Sequence, residues 1–411
     1  TAMVLEKSSR YYGAEPYLDR IQFRFYPSEQ AAFTAYEDGQ VEGIARIVTP
    51  DLPRARALSS LNLYSAQMAE SGIVFLNLAR QDLPFSQDRE VRQALGMNPE
   101  RAREDLVFTG ICTDTRQVQP GDLFLALSGE RFDGHDFVVE ALTRGAAGVV
   151  VSREVGVEES ARLFPVPDTL VALGDLARHR RRALKGRVVG ITGSSGKTTA
   201  KELLRETLAG SFRVFATRGN LNNRIGLPQT LLAAPCDAQI LVLELGTNEP
   251  GEIATLAQIA RPDIAVITTV GESHLEKLGT IQGVMEEKLS LLRHMADGGR
   301  CVVGDEPPEL GRRARKLCSR VRVVGWSEHA DEGGRPRHPD VDVFGKYTFE
   351  WRGERVTAPM FGRHGVTNAM MALTVAELLG VPPREAVKGL SATAQRAMRG
   401  EYRRIGDLTL I

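Results

Sequence analysis

The sequence predicts an α/β protein whose main part is a parallel sheet covered by helices on both faces. Short apolar runs, rich in β-branched residues, recur after about residue 97, at 147–151, 187–192, 239–245, 263–269, 300–304 and 321–325. Helical patterns separate the later runs, and strands that alternate with helices are typical of parallel sheets. The length of 411 residues suits two to three domains, since a domain takes roughly 150 residues.

Composition and charge exclude several classes of protein. The 52 Lys and Arg residues balance the 52 Asp and Glu residues, so no overall field attracts nucleic acid or an anionic membrane. No apolar run reaches the roughly 18 residues of a membrane helix. The cysteines, Cys112, Cys236, Cys301 and Cys318, have no Cys-x-x-Cys spacing, which predicts buried, reduced thiols in a cytoplasmic protein. No signal peptide is expected.

Residues 1–96 differ from the rest of the chain in residue usage. Six of the eight tyrosines lie in the first 64 residues, and all seven histidines lie after residue 96. Apolar alternation predicts a strand at 21–26, and a helix at 29–38, an apolar run at 73–78 and a helix at 89–95 follow.

This first segment resembles the middle of a periplasmic oligopeptide-binding protein of the ABC-transporter type. The matching stretches are Tyr12-Gly13, Pro16-Tyr17-Leu18-Asp19-Arg20-Ile21, Phe75-Leu76-Asn77-Leu78, Pro84-Phe85-Ser86 and Val91-Arg92-Gln93-Ala94-Leu95. Those receptors are much larger, so the resemblance implies a partial α+β domain with no ligand site of its own.

The strongest chemical signal is a glycine-rich loop, Gly190-Ile191-Thr192-Gly193-Ser194-Ser195-Gly196-Lys197-Thr198, which fits the P-loop pattern Gly-x4-Gly-Lys-Ser/Thr. A β-branched strand precedes the loop and a helical run at 199–208 follows it, which places a phosphate cradle at a helix N-terminus. We expect the Lys197 ammonium to contact the β- and γ-phosphates and the Thr198 hydroxyl to bind Mg²⁺. The loop therefore predicts a nucleotide-binding domain.

Two later strands deliver polar side chains at their carboxyl ends. Glu244 ends the run at 240–244, which is the usual position of a second magnesium ligand in a P-loop protein. His274 follows the strand at 264–269, where open α/β sheets place ligands. Such residues also occur at strand ends without a function, so the residues alone leave both assignments open.

From Ile111 onward the chain resembles the Mur ligases of bacterial peptidoglycan synthesis, and among them the member that adds D-Ala-D-Ala. The closest stretches are the phosphate loop, Gly219-Asn220-Leu221-Asn222-Asn223 and Glu244-Leu245-Gly246-Thr247-Asn248. The resemblance implies a central P-loop ATPase domain, preceded by a small α/β domain that binds UDP. It also implies an ATP-dependent ligase that joins UDP-N-acetylmuramoyl-tripeptide to D-Ala-D-Ala through an acyl phosphate.

The resemblance also implies roles for individual residues. The catalytic residues would be Lys197, Glu244, His274 and Lys288. Magnesium would be held by Thr198, Glu244, His274 and a carbamylated Lys288. ATP would contact Gly193, Ser194, Ser195, Gly196, Lys197, Thr198, Thr199, His364, Asn368 and Arg399. The muropeptide would contact Thr115, Arg116, Asp133, Gly134, His135, Asn222 and Asn223.

The implied domains are a solute-binding-like segment at 1–96, a UDP-muropeptide-binding domain at 97–172, an ATP-binding domain at 173–398, and the start of a C-terminal domain at 399–411. The family's first strand and helix would be expected before residue 105, and its C-terminal domain continues beyond this sequence. We therefore expect an incomplete uridine domain and a chain that does not complete ligation.

The expected protein is a cytoplasmic monomer with no nucleic-acid or membrane partner. Two alternatives stay open: another Mur-type ligase, of the third-residue-adding or folylpolyglutamate kind, and a non-catalytic chain that binds peptides through residues 1–96. Two local predictions concern polar segments. The basic run at 178–182 is expected to form a solvated helix face, and residues 331–339 are expected to form a loop.

Overall fold

The structure is a computed structural model that describes residues 2–6, 20–24, 26, 29–38, 40–41, 87–103, 106–129, 132–157, 162–343, 345–392, 403–405 and 408–410. The chain divides into two units, Thr1–Gly72 with Gly400–Ile411, and Ile73–Arg399. The apolar run at 73–78 and Arg399 lie outside the described residues.

The described residues of the first unit form two pairs of antiparallel strands and a helix. Strand β1 (Ala2–Glu6) pairs with β2 (Arg20–Arg24), and Ala2 lies opposite Arg24. Helix α1 spans Glu29–Glu37. Strands Arg403–Ile405 and Leu408–Leu410 form a further antiparallel pair. The strand and the helix predicted in this region are confirmed, with ends that differ by one or two residues.

Among its described residues, the second unit begins with helix α2 (Asp88–Ala94), and a small parallel sheet follows. Its strands, in spatial order, are β3 (Gly110–Cys112), β4 (Asp122–Leu125), β5 (Gly148–Val151) and β6 (Leu163–Pro165). Helix α3 (Val138–Thr143) contributes Val138 and Ala141 to the core on one face of this sheet. Short 3-10 turns lie at Pro99–Arg101, Thr115–Gln117 and Gly134–Phe137.

Helix α2 packs with the residues that follow it, across the boundary predicted at residue 96. Val91 is fully buried in the same core as Phe108 and Phe164. Buried Asp88 accepts hydrogen bonds from Arg92 Nε and from the Arg103 backbone, both at 2.7 Å. The helix predicted at 89–95 is therefore confirmed, and it contributes to the core of the second unit. The predicted domain boundaries stay a prediction.

A long helix, α4 (Thr169–Ala183), leads into the large sheet. The strands of this sheet are β7 (Arg187–Thr192), β8 (Val214–Ala216), β9 (Ile240–Glu244), β10 (Ile264–Ile267), β11 (Arg300–Gly304) and β12 (Val321–Val324). They pair in parallel in the order β12-β11-β10-β7-β9-β8. The predicted parallel sheet and the strands predicted at 187–192, 239–245, 263–269, 300–304 and 321–325 are confirmed, whereas the run predicted at 147–151 forms β5 of the small sheet.

Successive side chains of each strand point to opposite faces, so the sheet has a core on each side. Leu241 and Leu243 lie in one core, and Ile240 and Val242 lie in the other. The first face is covered by α4, α6 (Gly226–Leu232), α7 (Glu252–Ala260), α9 (Ile281–Arg293) and α10 (Pro308–Leu317). The second face is covered by α5 (Lys197–Ala209), α11 (Gly362–Leu378) and α12 (Pro383–Ala392). A short helix, α8, spans Leu275–Leu278.

An antiparallel sheet lies beside the second core. Its strands are β13 (Arg337–Val341), β14 (Lys346–Trp351) and β15 (Glu354–Phe361), with β14 in the middle. The loop predicted at 331–339 is wrong in its last three residues, because Arg337 pairs with Glu350 at the start of β13. The strand is held by backbone pairing at an exposed edge, and polar composition does not reveal such a strand.

The solvated helix face predicted at 178–182 is wrong for two arginines of α4. Buried Arg180 donates to the Ala234 carbonyl, and Arg181 Nε donates to the Ala260 carbonyl at 2.9 Å. Ala260 is the last residue of α7, where helix carbonyls lack partners within their own helix, and Ala234 follows the end of α6 by two residues. Arg180 and Arg181 therefore link α4 by hydrogen bonds to the segments at the ends of α6 and α7.

Two further predictions from the sequence concern the burial of the cysteines and the lack of membrane-spanning helices. Cys112, Cys301 and Cys318 are buried as predicted, but Cys236 is exposed, so the prediction is wrong there. Among the residues that the structure describes, no helix is both long enough and apolar enough to cross a membrane.

Candidate functional site

The candidate site lies where three neighbouring strands of the large sheet end. Strand β7 runs between β10 and β9, so that Thr192 lies opposite Ile267 and Ile191 lies opposite Glu244. The phosphate loop follows β7, Glu244 ends β9, and residues 268–274 follow β10. Because the three strands are parallel, their carboxyl ends share one edge of the sheet.

Close contacts explain two glycines of the phosphate loop. A Cβ added at Gly193, where φ is 152°, would lie 2.0 Å from Thr268 Oγ1. Gly196 has a left-handed φ of 80° and is the N-cap of α5. A side chain is therefore excluded at the first position and strained at the second.

Residues after β10 hold the phosphate loop in shape. The Ser194 N–H donates to the Thr269 carbonyl at 2.9 Å, and the Ser195 N–H donates to Thr269 Oγ1 at 3.3 Å. The Thr268 hydroxyl donates to the Ser195 carbonyl. Sequence reasoning missed both threonines, because only the pairing of β10 with β7 brings them to the loop.

The Lys197 and Thr198 side chains begin α5 beside the loop. Lys197 Nζ donates to the Gly193 carbonyl at 2.7 Å, and the Thr198 hydroxyl donates to Glu244 Oε1 at 3.3 Å. Burial lowers the pKa of Lys197, and the nearby charge of Glu244 opposes that effect. Thr198 therefore contacts the predicted carboxylate, and Lys197 interacts with its charge. Thr199 follows them in the first turn of the helix.

Glu244 is buried, with 1% of its surface exposed. Its Oε1 accepts from Asn222 Nδ2 at 2.8 Å and from the Thr198 hydroxyl, but its Oε2 has no hydrogen-bond partner among the described residues. A buried carboxylate oxygen without a partner is costly. Carboxylate and hydroxyl oxygens are the protein ligands that Mg²⁺ takes. Together with the Thr198 hydroxyl, the Glu244 oxygen that lacks a hydrogen-bond partner therefore fits a bound divalent cation.

His274 begins α8 near the same edge, in a left-handed conformation with φ of 53°. Its side chain is exposed at the surface. Partial desolvation by the surrounding protein, followed by the charges of Lys288 and Lys197, lowers the pKa of the imidazole. The structure therefore brings His274 within electrostatic reach of both lysines. In the described ranges, no three His, Cys, Asp or Glu side chains form a metal-binding group.

Lys288 lies on α9 with 1% of its surface exposed. Burial, followed by the charge of Lys197, lowers its pKa to about 8. The adjacent Glu287 carboxylate is occupied, since it accepts from the Gly251 N–H at 2.7 Å and from the Ile253 N–H at 2.8 Å. Glu287 thus fixes the start of α7, and the Lys288 amine lies in an environment that disfavours its charge.

Helix α11 carries two further predicted residues, of which Asn368 lies near the phosphate loop. Asn368 is buried next to Gly196, where an added Cβ would lie 3.0 Å from Asn368 Oδ1. His364 is exposed in the first turn of the helix. Beside it, the Arg363 guanidinium lies 4.6 Å from the ring centre of Trp326.

The two predicted asparagines of the 219–223 turn have different positions. Asn222 donates to Glu244 and belongs to the strand-end site. Asn223 Oδ1 accepts from the Gly226 N–H at 2.8 Å, so this side chain stabilises the start of α6.

Residues Asp133 to His135 form a closed turn in the small domain. Asp133 Oδ1 accepts from the His135 N–H at 3.0 Å and contacts His135 Nδ1 at 2.6 Å. The Ser152 N–H donates to His135 Nε2 at 2.8 Å, so the proton lies on Nδ1. Burial opposes ionisation of Asp133, but hydrogen bonds from His135, Ser128 and Arg153 outweigh it and lower the pKa of this carboxyl. The Gly134 N–H donates to the Leu127 carbonyl at 2.8 Å.

Thr115 and Arg116 lie after β3 in the same domain. Thr115 is buried, whereas Arg116 is exposed and pairs with Asp114 at 2.6 Å. Gln229 Nε2 on α6 donates to Thr113 Oγ1 at 2.9 Å, which joins this segment to the large-sheet domain.

Three family models match parts of the chain. Residues 107–181 match the catalytic domain of the Mur ligase family, and residues 191–376 match the Mur ligase middle domain. Residues 1–100 match the middle part of bacterial extracellular solute-binding proteins of family 5. The helix that packs Val91 into the second unit therefore falls within the solute-binding match.

Similar proteins have been named and solved. The UDP-N-acetylmuramoyl-tripeptide–D-alanyl-D-alanine ligase of Bacillus subtilis is 40% identical over 303 residues, which cover 72% of this chain and 65% of the relative. That of Rickettsia prowazekii is 37% identical, with 72% and 67% covered. The chain thus spans about two thirds of the length of these relatives.

Two solved structures share the fold. MurF from Acinetobacter baumannii is 31% identical with a TM-score of 0.70, and the match covers 79% of this chain and 71% of that one. MurF ligase from Thermotoga maritima, in complex with ADP, is 34% identical with a TM-score of 0.61, covering 69% and 67%.

Proposed function

The chain belongs to the Mur ligase family, and from this premise we propose that its strand-end site binds magnesium and ATP for amide-bond formation. The proposed reaction joins UDP-N-acetylmuramoyl-tripeptide to D-Ala-D-Ala, as the names of the relatives suggest. The structure of the Thermotoga maritima relative with ADP supports the choice of nucleotide. Because the chain spans 65% of the first relative, the complete activity is proposed as a property of the whole enzyme.

One observation carries the proposal: the buried Glu244 carboxylate, which accepts a hydrogen bond from Thr198 at the end of the phosphate loop, has one oxygen without a hydrogen-bond partner. Its other oxygen is fixed by Asn222 and Thr198. A purely structural carboxylate would use both oxygens, as Glu287 does.

The proposed chemistry has two covalent steps. The tripeptide carboxylate attacks the γ-phosphorus of ATP, and ADP leaves with the electrons of the broken P–O bond. The D-Ala-D-Ala amine then attacks the acyl carbon, phosphate leaves, and the amine nitrogen loses a proton. In the first step two anions approach each other, so the site must supply positive charge.

The chain's own residues supply that charge and the geometry. The backbone N–H groups of Gly196, Lys197 and Thr198, where the loop enters α5, are proposed to bind phosphate oxygens together with the Lys197 ammonium. When bound, magnesium offsets charge on the phosphate oxygens. Thr198, Glu244, His274 and Lys288 are the residues that would hold it. Asn368 and His364 are proposed to contact the adenine, and Arg399 the phosphates.

We further propose that Lys288 is carbamylated in the active enzyme. Its burial and a pKa of about 8 leave a substantial neutral fraction at neutral to mildly basic pH. The neutral amine attacks CO₂, the N–C bond forms, and one proton is released. The product is an anionic carbamate in place of a buried cation, which suits a metal ligand and lowers the repulsion from Lys197.

The muropeptide is proposed to bind across the two domains. Arg116 offers an exposed guanidinium for the diphosphate, and Thr115, Asp133, Gly134 and His135 shape the turns beside it. Asn222 and Asn223 lie at the large-sheet side. The domain limits of 97–172 and 173–398, the monomeric state and the cytoplasmic location remain predictions.

Calorimetry with the 411-residue chain tests the proposal. We expect binding of ADP with Mg²⁺, and tighter binding of UDP-N-acetylmuramoyl-tripeptide than of the corresponding dipeptide. Tighter binding of the dipeptide would favour the third-residue-adding alternative. Binding of short peptides without any nucleotide binding would favour the alternative based on residues 1–96.

A further inference from the structure

Lys201 is a buried lysine that the proposed reaction does not use. It lies on α5, one turn after Lys197, and 1% of its surface is exposed. Its neighbours on the helix, Ala200, Leu203 and Leu204, are fully buried in the core of the second face. An ammonium in such a place needs compensating partners, because its desolvation costs several kcal/mol.

The partners of Lys201 come from three directions. Its Nζ lies 3.1 Å from Glu202 Oε1 and donates to the Gly219 carbonyl at 3.2 Å. It also lies 3.9 Å from Glu244 Oε2. That last distance permits charge attraction but is too long for a hydrogen bond.

These contacts join both ends of the 219–222 turn to Glu244. Lys201 holds the first residue of the turn through the Gly219 carbonyl, and Asn222 at its end donates to Glu244 Oε1. The Glu244 backbone N–H donates to Thr217 Oγ1 at 3.0 Å, just before the turn. The carboxylate is therefore fixed through Oε1, while Lys201 attracts Oε2 and leaves its lone pairs available.

We propose that Lys201 is a positioning residue for the magnesium ligand Glu244. It holds the 219–222 turn and the carboxylate in the orientation that presents Oε2, and it offsets the charge of that carboxylate before the cation arrives. This inference rests on the proposed magnesium–nucleotide site. It assigns Lys201 no contact with the nucleotide.

Two other roles of Lys201 would change cation and nucleotide binding in different ways. If Lys201 acted only as a nearby positive charge, its removal would strengthen cation binding at Glu244. If it acted only in folding, its removal would weaken nucleotide binding equally with and without metal. The positioning role alone predicts a loss confined to the metal-dependent part of nucleotide affinity.

The test compares ADP binding with Mg²⁺ and with EDTA by calorimetry, using the full chain. The variants are Lys201→Met, which keeps the volume without the charge, and Lys201→Arg, which keeps the charge. Lys316→Met, an exposed lysine on α10, is the matched control. For Lys201→Met we expect the Mg²⁺-dependent gain in ADP affinity to fall about tenfold or more, as for partners of metal ligands, while the affinity in EDTA stays within about twofold. Lys201→Arg is expected to restore part of the gain.

An unchanged or larger Mg²⁺-dependent gain in folded Lys201→Met would overturn the inference. So would an equal loss with Mg²⁺ and with EDTA. If Lys201→Met does not fold, Lys201→Leu takes its place with the same expectation, because leucine also lacks both the charge and a donor for the Gly219 carbonyl. If the wild-type chain shows no Mg²⁺-dependent ADP binding, the proposed function fails, and that result is distinct from a failure of the Lys201 assignment.

Discussion

Replacing Gly193 with alanine tests the contact between the phosphate loop and the strand beside it. The new Cβ would lie 2.0 Å from Thr268 Oγ1, so the threonine hydroxyl must move. The Thr268 hydroxyl then leaves the Ser195 carbonyl, and a stranded buried group costs about 1–3 kcal/mol. The φ of 152° adds about 1–3 kcal/mol of strain for a residue other than glycine. We therefore expect a loss of about 2–6 kcal/mol in the free energy of unfolding.

Urea unfolding followed by tryptophan fluorescence measures this loss in the relevant unit, since Trp326 and Trp351 both lie in the second unit. Gly210→Ala is the matched control, because a Cβ there meets no atom within 4 Å. Its expected change is within about 1 kcal/mol and is stabilising in sign.

A second variant separates the clash from a general effect of alanine. Thr268→Ala removes the hydroxyl, so the double variant Gly193→Ala/Thr268→Ala should lose less than the sum of the two single losses, by at least about 1 kcal/mol. A Gly193→Ala chain that unfolds at the same urea concentration as the wild type would refute the reasoning, and so would strictly additive losses.

Three other changes have expected outcomes that follow from single contacts. Arg180→Met should lower the free energy of unfolding by about 1–3 kcal/mol, because the Ala234 carbonyl loses its hydrogen-bond donor. Replacing the exposed Arg182 with methionine should change it by less than about 1 kcal/mol. Equal effects of the two variants would contradict the stabilising role of Arg180. The hydrogen bonds that lower the pKa of Asp133 stabilise the fold at neutral pH. This stabilisation is lost as the pH falls below about 4, the pKa of an aspartate in the unfolded chain. The difference in urea midpoint between the wild type and Asp133→Asn should therefore close in acid, and a difference that persists in acid would contradict this. With ¹³C-bicarbonate, the NMR signal of a carbamate on Lys288 should grow as the pH rises through about 8. The signal should vanish in Lys288→Met and persist in Lys316→Met. A signal unaffected by Lys288→Met would assign the carbamate to another residue.

Much of the site could be predicted because it depends on local patterns. The glycines, the lysine and the threonine of the phosphate loop lie between a β-branched strand and a helix, and parallel pairing then brings Glu244 to the same edge. The residues that hold the site could not be predicted in this way. Thr268 and Thr269 reach the loop only through the order of strands β10 and β7, and Lys201 has the same sequence signature as an exposed helix lysine.

The positions of two polar segments also could not be predicted from the sequence. The sequence predicts that Arg180 and Arg181 lie in solvent, because charge runs are usually solvated. The structure instead gives them carbonyls from distant parts of the chain, at Ala234 and Ala260. Strand β13 carries no apolar alternation, since it lies exposed at a sheet edge and is specified by its partner β14. Tertiary contacts decide these residues, and no local pattern records such contacts.

Calorimetric titration of ADP with Mg²⁺ into the wild-type chain and into Lys197→Ala tests the central claim most directly. Loss of a charged donor to phosphate costs about 1.5–3 kcal/mol, so we predict that the variant binds at least about tenfold more weakly, while Lys316→Met binds like the wild type. A folded Lys197→Ala chain that binds ADP with wild-type affinity would contradict the assignment of the phosphate loop.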